Sequence, residues 1–472
     1  MIPYFPKYFS SRAIYLYIVL LLVVPIVFGH PMKWYWWLFG LVEVISFFYC
    51  SNRLTLDWGR YSNRLFEKKL LSTSLAIRLV YVLFSYFFYK EMTGTQFDFN
   101  AGDVLFYDEM GRYGHRLISL GHFPTYLDLD SYSGGLDLSD TGYPYYLILI
   151  YSLTNNSIVA VRLIKAVISA WTAVIVYRIA KRNFGETTGR MSGVFCMLMP
   201  NLIYYCGVHL KETEMLFLVV VFVERADLLI RSSKISIVRI LLVALVGFLV
   251  FFFRAVLCYV LFLALATAIV LSSKRIVKWG RNIIISSLAI VLVGIVFYNN
   301  LVERNGIEQY DNLTEQQATN MEWRSERKGG NQFAKYAGSA VFAPLIFTIP
   351  FPTMIDIPYQ QGQQMIHGGN YVKNITSFFT IIALILLVLS GKWREHVLPA
   401  SFLMGYLIVL VFSAYAQSER FHIPILPFSL MFAAYGVSQM KNKHKTLFMY
   451  WMLFIFVANI GWAWFKLRGR GM

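Results

Sequence analysis

Apolar runs of about 18–25 residues recur along the whole chain, and they constrain its fold more than any other feature. As a helix rising 1.5 Å per residue, each run is long enough to cross a hydrocarbon core of ~30 Å. Hydrophobic residues make up 57% of the 472 residues and charged residues only 15%. A soluble core cannot bury this excess, so the sequence predicts an all-α polytopic membrane protein. The same composition excludes a disordered, collagen-like or disulfide-stapled secreted chain.

The hydrophobic pattern predicts about thirteen membrane-spanning helices, grouped in three regions. Residues 1–70 contain two spans, residues 71–440 contain the main bundle, and residues 441–472 contain one span and a basic tail. The spans are expected at 13–29, 34–50, 71–90, 157–180, 188–206, 211–230, 237–253, 255–272, 282–299, 371–390, 396–415, 421–438 and 446–464.

The formal net charge of +17 is distributed unevenly among the links between these spans. Every second link is rich in Lys and Arg, and short basic links mark the cytoplasmic side of a membrane protein. We therefore expect a cytoplasmic N-terminus. The localisation that we expect is the plasma membrane, of the bacterial inner-membrane type. The tail residues Lys466, Arg468 and Arg470 conflict with this rule, because an odd number of spans places them outside.

Two predicted outside segments are long, at about 91–156 and 300–370. Connections of this length are usually functional or disordered. In the first segment, residues 103–120 and 143–154 are amphipathic or apolar but awkward as spans, so we expect helices that lie in the membrane interface. The four cysteines fall in or at the ends of the spans, and they indicate neither a disulfide framework nor a CxxC metal site.

The first outside segment contains the sequence GDVLFYDEMGRYGHRLISLGHF, which carries the first candidate site residues. Asp103, Tyr107 and Gly111 fall four residues apart and so line one face of a helix. A carboxylate there, at the water boundary of a membrane cavity, is suited to act as a general base. The alternative is that Asp103 caps the helix. Asp108 and Asp140 follow, and each taken singly is typical of a solvated loop carboxylate.

Ionisable residues also mark the predicted outer ends of several spans. The sequence YYCGVHLKETEMLF places His209, Lys211 and Glu212 in one turn between two apolar helices. Such groups near a membrane are costly and are functional candidates, although Lys211 and Glu212 can instead pair with each other at the interface. Arg254 lies alone between two apolar runs, at the end of a tight helical hairpin. It either reaches to the interface or holds an anion.

The last basic position is the sequence SERFHIPILPF, where Arg420 and His422 begin a span that Pro424 and Pro427 can kink. The predicted topology places these residues on the same membrane face as Asp103, together with the earlier cations. A cluster of cations at that face suits a phosphate or pyrophosphate, and arginine offers bidentate geometry.

These motifs, in this order, resemble the GT-C superfamily of membrane glycosyltransferases, close to the protein O-mannosyltransferases and bacterial aminoarabinose transferase (glycosyltransferase family 39-like). Family members open the first outer loop with an Asp, a Tyr, a small residue and a Gly before an aromatic residue. The matching positions here are Asp103, Tyr107, Gly111, Gly121 and Phe123. The spacing from Gly111 to Gly121 is about one helical turn longer than usual, which leaves Asp108 as a rival for the catalytic position.

The resemblance continues along the chain and covers roughly residues 98–440. The proline-aromatic interface helix matches TGYPYYLILIYSL, the next span matches VRLIKAVISAWTAVIVYRIAKRNFG, and the following landmark matches MPNLIYYCGVHLKE. Arg420, Pro424 and Pro427 match an Arg followed by Pro-x-x-Pro. Asp140 is the acidic residue before the interface helix, although its context differs from the family pattern, and the two spans before residue 70 are additional to the family core.

The resemblance implies a GT-C-like bundle that moves a sugar from a polyprenyl-phosphate-linked donor to a glycan, lipid or protein acceptor, with inversion, at the outer face. Asp103, or Asp108, would take the acceptor proton, and Lys211, Arg254, Arg420 and His422 would meet the lipid phosphate. Tyr107, Asp140, His209 and Glu212 are further candidates. The sequence carries no nucleotide-binding fingerprint and no nucleic-acid partner is expected. No cofactor is indicated with certainty. The loop carboxylates could hold a divalent metal, although no ligand spacing supports one.

Two rival hypotheses come from different classes of protein. A polysaccharide polymerase or O-antigen ligase with a lipid-pyrophosphate donor also fits. Its oligosaccharide could lie on the second outside segment, which carries Arg324, Arg327 and Lys328, although this mixed-charge stretch is more typical of a solvated loop. A lipid or glycan transporter fits less well. Transporters usually show paired repeats and charges at mid-membrane depth, whereas the notable charges here lie at one face and no internal repeat is found.

Overall fold

The computed structural model describes residues 2–99, 101–232, 236–271, 330–333, 339–413 and 415–472, with isolated positions between 319 and 326. In this part of the chain the regular elements are helices and no strand occurs, which confirms the all-α fold class. The predicted span at 282–299 and the basic positions 324, 327 and 328 lie outside the described residues.

The described α-helices fall into two groups along the chain. The first group is α1 (Lys7–Phe28), α2 (Trp34–Asp57), α3 (Asn63–Thr93), α4 (Ala101–Ser119), α5 (Tyr126–Ser133), α6 (Gly142–Thr154), α7 (Ile158–Phe184), α8 (Glu186–Leu198), α9 (Pro200–Gly207), α10 (Glu212–Arg231), α11 (Ile237–Phe253) and α12 (Ala255–Leu271). The second group is α13 (Gln361–Met365), α14 (His367–Leu389), α15 (Val397–Val411), α16 (Glu419–His422), α17 (Leu426–Ser438) and α18 (Lys443–Arg468).

Six helical segments in the described residues are long and apolar enough to cross a membrane: α1, α3, α7, α14, the stretch Glu419–Ser438 and α18. Three further apolar helices, α11, α12 and α15, are shorter. The expected count of about thirteen spans is therefore not confirmed, although a helix lies at every predicted span that falls within the described residues.

The predicted span at 188–206 is not continuous. Helix α8 ends at Leu198, Met199 is extended, and Pro200 begins α9. Proline has no backbone N–H to donate and disfavours helical backbone at the residue before it, so the chain breaks at this point. Likewise Pro424 and Pro427 lie where α16, a single 3-10 turn and α17 succeed one another, as the proline spacing predicts.

Close helix packing in the bundle depends on glycine at one crossing in particular. Helices α14 and α17 pack against each other, and a Cβ atom added at Gly436 would lie 2.1 Å from the carbonyl oxygen of Phe379. Helix α7 packs against α3, α8 and α10 and so lies inside the bundle. It carries Arg162 and Lys165 in its buried face, and these residues are important for the site described below.

Helices α4 and α6, which the sequence predicts at 103–120 and 143–154, pack against each other at one end of the bundle, here called the site end. Two glycines of α4 permit this contact. An added Cβ would lie 2.9 Å from Leu147 Cβ at Gly111, and 2.3 Å from Ile148 Cδ1 at Gly114. The predicted Asp103–Tyr107–Gly111 face is thus a real helix face, and it packs on α6.

Arg254 forms the turn of a helical hairpin, as its sequence context predicts. Helix α11 ends at Phe253, Arg254 has extended backbone, and α12 begins at Ala255. The two helices pack along each other, and α11 also contacts the 3-10 turn Leu138–Asp140. The hairpin therefore brings Arg254 to the site end.

Candidate functional site

The centre of the candidate site is Arg420, which forms ion pairs with two carboxylates from distant parts of the chain. Its Nη1 donates to Asp103 Oδ2 on α4, and its Nε donates to Glu212 Oε1 at the start of α10. The Glu212 side chain is fully buried, whereas that of Asp103 is 62% exposed. Arg420 therefore connects a buried anion with a carboxylate that solvent and a substrate can reach.

A second ion pair lies beside the first. Lys211 Nζ donates to Asp140 Oδ1, and the Tyr107 hydroxyl donates to the same carboxylate, 3.0 Å from each oxygen. Burial and the nearby charge of Asp140 raise the pKa of Tyr107 well above its usual value, so the hydroxyl stays protonated and remains a donor. The predicted face of α4 thus presents Asp103 and Tyr107 to the same group of charges.

Arg254 completes this group, called here the Arg420 cluster: Asp103, Tyr107, Asp140, Lys211, Glu212, Arg254 and Arg420. The Arg254 guanidinium lies 4.5 Å from the ring centroid of Phe421 and interacts electrostatically with Lys211 and Glu212. Its Nη1 is buried and has no hydrogen-bond partner among the described residues. A buried donor without a partner is costly, and an anion placed there would remove that cost.

A separate group, called here the Asp108 cluster, consists of Asp108, Arg112, Tyr151 and His209. Arg112 Nε donates to Asp108 Oδ2 at 2.7 Å, and the Tyr151 hydroxyl donates to Oδ1. His209 Nε2 lies 3.2 Å from the same hydroxyl, and its ring is parallel to that of Tyr151. Only 8% of the Asp108 side chain is exposed. Both of its oxygens are engaged within this cluster.

His209 is neutral at physiological pH for a physical reason. It lies in the turn between α9 and α10, where burial lowers its pKa well below the usual value, with a further contribution from nearby Lys165, Arg162 and Arg112. A neutral imidazole does not bind a phosphate by charge, so His209 belongs to the hydrogen-bonded support of α4 rather than to the group of cations.

The turn that carries His209, Lys211 and Glu212 is held by a residue that the sequence analysis did not select. Lys165 Nζ, fully buried on α7, donates to the carbonyl oxygens of Val208, at 2.8 Å, and Leu210. Glu214 Oε2 lies 3.6 Å from the same ammonium group. Two positive charges inside an apolar span, Arg162 and Lys165 in the sequence VRLIKAVISA, are the signal that would have found it.

Several sequence-based alternatives are wrong. Lys211 and Glu212 do not pair with each other, because each has its own partner, Asp140 and Arg420 respectively. Asp103 is not the N-cap of α4, because it lies inside the first helical turn and pairs with Arg420. His422 does not join the cations, because its Nε2 contacts the carbonyl oxygen of Ala416 at 2.8 Å.

The arrangement offers an accessible carboxylate, three cations and a protonated tyrosine hydroxyl within one polar site. Such a set can bind an anionic group and accept a proton beside it. Within the described ranges, no three His, Cys, Asp or Glu side chains are grouped so that they could hold a metal ion. Searches of protein-family models and of curated proteins find no match to this chain.

Proposed function

We propose that this chain is a membrane glycosyltransferase that moves a sugar from a polyprenyl-phosphate-linked donor to an acceptor hydroxyl at the non-cytoplasmic face of a bacterial inner membrane. The observation that carries the proposal is the buried Nη1 of Arg254, which has no hydrogen-bond partner among the described residues and interacts electrostatically with Lys211 and Glu212. Glu212 shares Arg420 with the exposed Asp103 carboxylate. The apolar helices of the bundle are suited to a donor whose lipid tail lies in the membrane.

The charges of the Arg420 cluster support an ordered mechanism. Three cations and three carboxylates balance in the free protein, and Arg420 is shared between Asp103 and Glu212. A donor phosphate that binds Arg254 and Arg420 competes with Asp103 for the Arg420 guanidinium. Donor binding thus frees the Asp103 oxygen from the Arg420 guanidinium, so that this oxygen can accept the proton of the acceptor hydroxyl.

In the transfer step, Asp103 takes the proton of the acceptor hydroxyl while that oxygen forms a bond to the anomeric carbon. The bond between the anomeric carbon and the phosphate oxygen breaks, and polyprenyl phosphate departs with the bonding electron pair. One proton is thus gained by Asp103 and one negative charge by the phosphate. Arg254, Arg420 and Lys211 stabilise that developing charge, which is where electrostatic catalysis acts most strongly.

The test is a transfer assay on the purified full-length chain in lipid vesicles with a radiolabelled polyprenyl-phosphate sugar. We expect Asp103→Asn to lower kcat about 10²–10⁴-fold, the usual contribution of a general base. Asp137→Asn is the matched control, since Asp137 lies in the same loop and only accepts a backbone N–H from Ser139, which asparagine can also do. Equal activity of Asp103→Asn and Asp137→Asn would exclude the proposed base.

The donor site has its own variant. Arg254→Gln removes a charge that lies near Glu212 but forms no ion pair among the described residues. We expect KM for the lipid-linked donor to rise about 10–100-fold, because a charged hydrogen bond contributes ~1.5–3 kcal/mol. The acceptor KM should change little. Unchanged donor kinetics would mean that Arg254 only reaches to the interface.

A further inference from the structure

An apolar cavity of about 650 Å³ lies between α18 and the residues Phe333, Phe342, Leu345 and Phe351, and no residue of the Arg420 cluster lines it. Its walls are mainly aromatic, and they include Phe342, Phe351, Trp462 and Phe465. The volume lies within the range of ~300–1,000 Å³ that is typical of small-molecule sites. Gly461 also lines the cavity, and a Cβ atom added there would meet no atom within 4 Å. The cavity is therefore open at the glycine and accepts only an apolar occupant.

The rim of this cavity is cationic. Lys466 Nζ lies 5.2 Å from the ring centroid of Trp462 and donates to Gln360 Oε1 at 2.9 Å and Gln363 Oε1 at 2.6 Å. Arg468 is exposed one turn from the cavity, and Arg470 follows. The stretch from residue 443 to residue 472 contains no Asp or Glu. Lys466, Arg468 and Arg470 are the tail charges that the predicted topology places outside, in conflict with the positive-inside rule. Basic residues that mark the cytoplasmic side therefore do not explain these three.

Lys466 and the Arg420 cluster lie at the same end of the bundle, because the Glu419 carboxyl interacts electrostatically with both Lys466 and Arg420. The basic rim thus faces the membrane leaflet at the site end. A basic group at headgroup depth above an apolar, aromatic cavity matches the two parts of an anionic lipid. Each basic residue near a membrane surface contributes ~1 kcal/mol to the free energy of binding anionic lipids.

We propose that the cavity binds an acyl chain of one anionic phospholipid from the leaflet at the site end, with its phosphate held by the basic tail of α18. The lipid is a bound component distinct from the sugar donor, and the proposal does not depend on the transferase function. Charge complementarity selects an anionic headgroup, and the aromatic walls select a chain rather than a polar ligand.

The experiment uses the full chain, purified in mild detergent, delipidated and then titrated with phosphatidylglycerol or phosphatidylcholine. Bound lipid is counted by native mass spectrometry, and the apparent Tm is measured in parallel. We expect one retained phosphatidylglycerol per chain and a Tm that rises with phosphatidylglycerol but not with phosphatidylcholine, because a ligand of the folded state stabilises it.

Two variants and one control make this test decisive. Gly461→Phe fills the cavity, and we expect at least a ten-fold loss of retained phosphatidylglycerol. Leu453→Phe is the matched control on the same helix, since Leu453 is 61% exposed and does not line the cavity. Arg468→Gln changes an exposed charge without touching the cavity, and it should weaken retention about five-fold, equivalent to ~1 kcal/mol.

Three results would overturn the proposal. The first is equal lipid retention by Gly461→Phe and Leu453→Phe, which would make the contact ordinary solvation by the bilayer. The second is equal binding of phosphatidylcholine. The third is recovery of a polyprenyl lipid in the cavity, which would assign it to the sugar donor. Should Gly461→Phe not fold, the Arg468→Gln titration still decides whether the headgroup site exists.

Discussion

Helix α4 contributes one carboxylate to each of two clusters, and the two carboxylates are only five residues apart in sequence. Asp103 belongs to the Arg420 cluster, is largely exposed, and pairs with an arginine that a second carboxylate also holds. Asp108 belongs to the Asp108 cluster, is nearly buried, and has Arg112 and Tyr151 as dedicated partners. The same residue type on the same helix therefore meets two different chemical environments.

The difference shows how partners decide the role of a carboxylate. Both oxygens of Asp108 are engaged, by Arg112 of α4 and Tyr151 of α6, so Asp108 is suited to hold α4 against α6. Asp103 competes with Glu212 for Arg420, so a new anion can displace it. A carboxylate whose ion-pair partner can be displaced is suited to catalysis, whereas a carboxylate with dedicated partners is suited to stabilising the fold.

The largest expected effect tests the shared arginine. Arg420→Gln leaves Glu212 buried without its ion pair, and breaking a buried pair costs ~3–5 kcal/mol, so we expect a marked fall in the free energy of unfolding as well as loss of transfer. The double variant Arg420→Gln with Glu212→Gln should recover much of the stability and none of the activity. The apparent Tm and the transfer assay measure the two quantities separately.

The control is Arg394→Gln at an exposed position, which should change stability by less than ~0.5 kcal/mol. Recovery of transfer in the double variant would show that Arg420 only neutralises Glu212. In that case, the proposed mechanism would not include displacement of Asp103 from Arg420 by the donor phosphate.

An intermediate effect is expected at the other carboxylate. Asp108→Asn weakens charged hydrogen bonds from Arg112 and Tyr151, which contribute ~1.5–3 kcal/mol, so we expect a lower apparent Tm with unchanged kcat per folded molecule. The Asp103→Asn variant should show the reverse pattern, low kcat and a nearly unchanged Tm. A stable but inactive Asp108→Asn protein would indicate that Asp108 is the general base and that Asp103 has the structural role.

The smallest effect concerns the pH dependence of stability. Because burial keeps the pKa of His209 far below its unfolded value of about 6.5, the unfolded chain gains a proton below that pH and the folded chain does not. The stability that neutral His209 provides is present above pH 6.5 and is lost as the pH falls, by at most ~1.4 kcal/mol per pH unit.

His209→Phe keeps a ring beside Phe97 and Tyr143 and removes this titration. We expect the apparent Tm of the wild type to fall more steeply than that of the variant between pH 6.5 and 5. Other buried histidines titrate in both proteins, so the comparison isolates His209. Parallel curves would indicate that His209 has the same pKa in the folded and unfolded chains, which would contradict the effect of burial.

The outline of the fold was accessible from the sequence because apolar length and proline positions are local signals. The ends of α11 were predicted at the residues where they occur, since Ser236 and Arg254 flank a run that is apolar apart from Arg239 near its start. The site was accessible only in part. Arg254 and Arg420 were identified as isolated cations, but the contact between Arg420 and Asp103 joins residues 317 positions apart and has no local signature. Lys165 was missed although its charge inside an apolar span was visible, because its contacts with the turn are mainly to backbone carbonyls, which the sequence does not show.

The sequence by itself determined that this chain is a helical, highly apolar protein and that its unusual charges collect in a few turns, because hydrophobic length and charge position are properties of composition and spacing. Only the tertiary structure decided which charges meet. It separated Asp103 from Asp108, directed Glu212 to Arg420 instead of Lys211, and removed His422 from the cations. These outcomes depend on burial and on the nearest opposite charge, and both are fixed only when distant helices pack together.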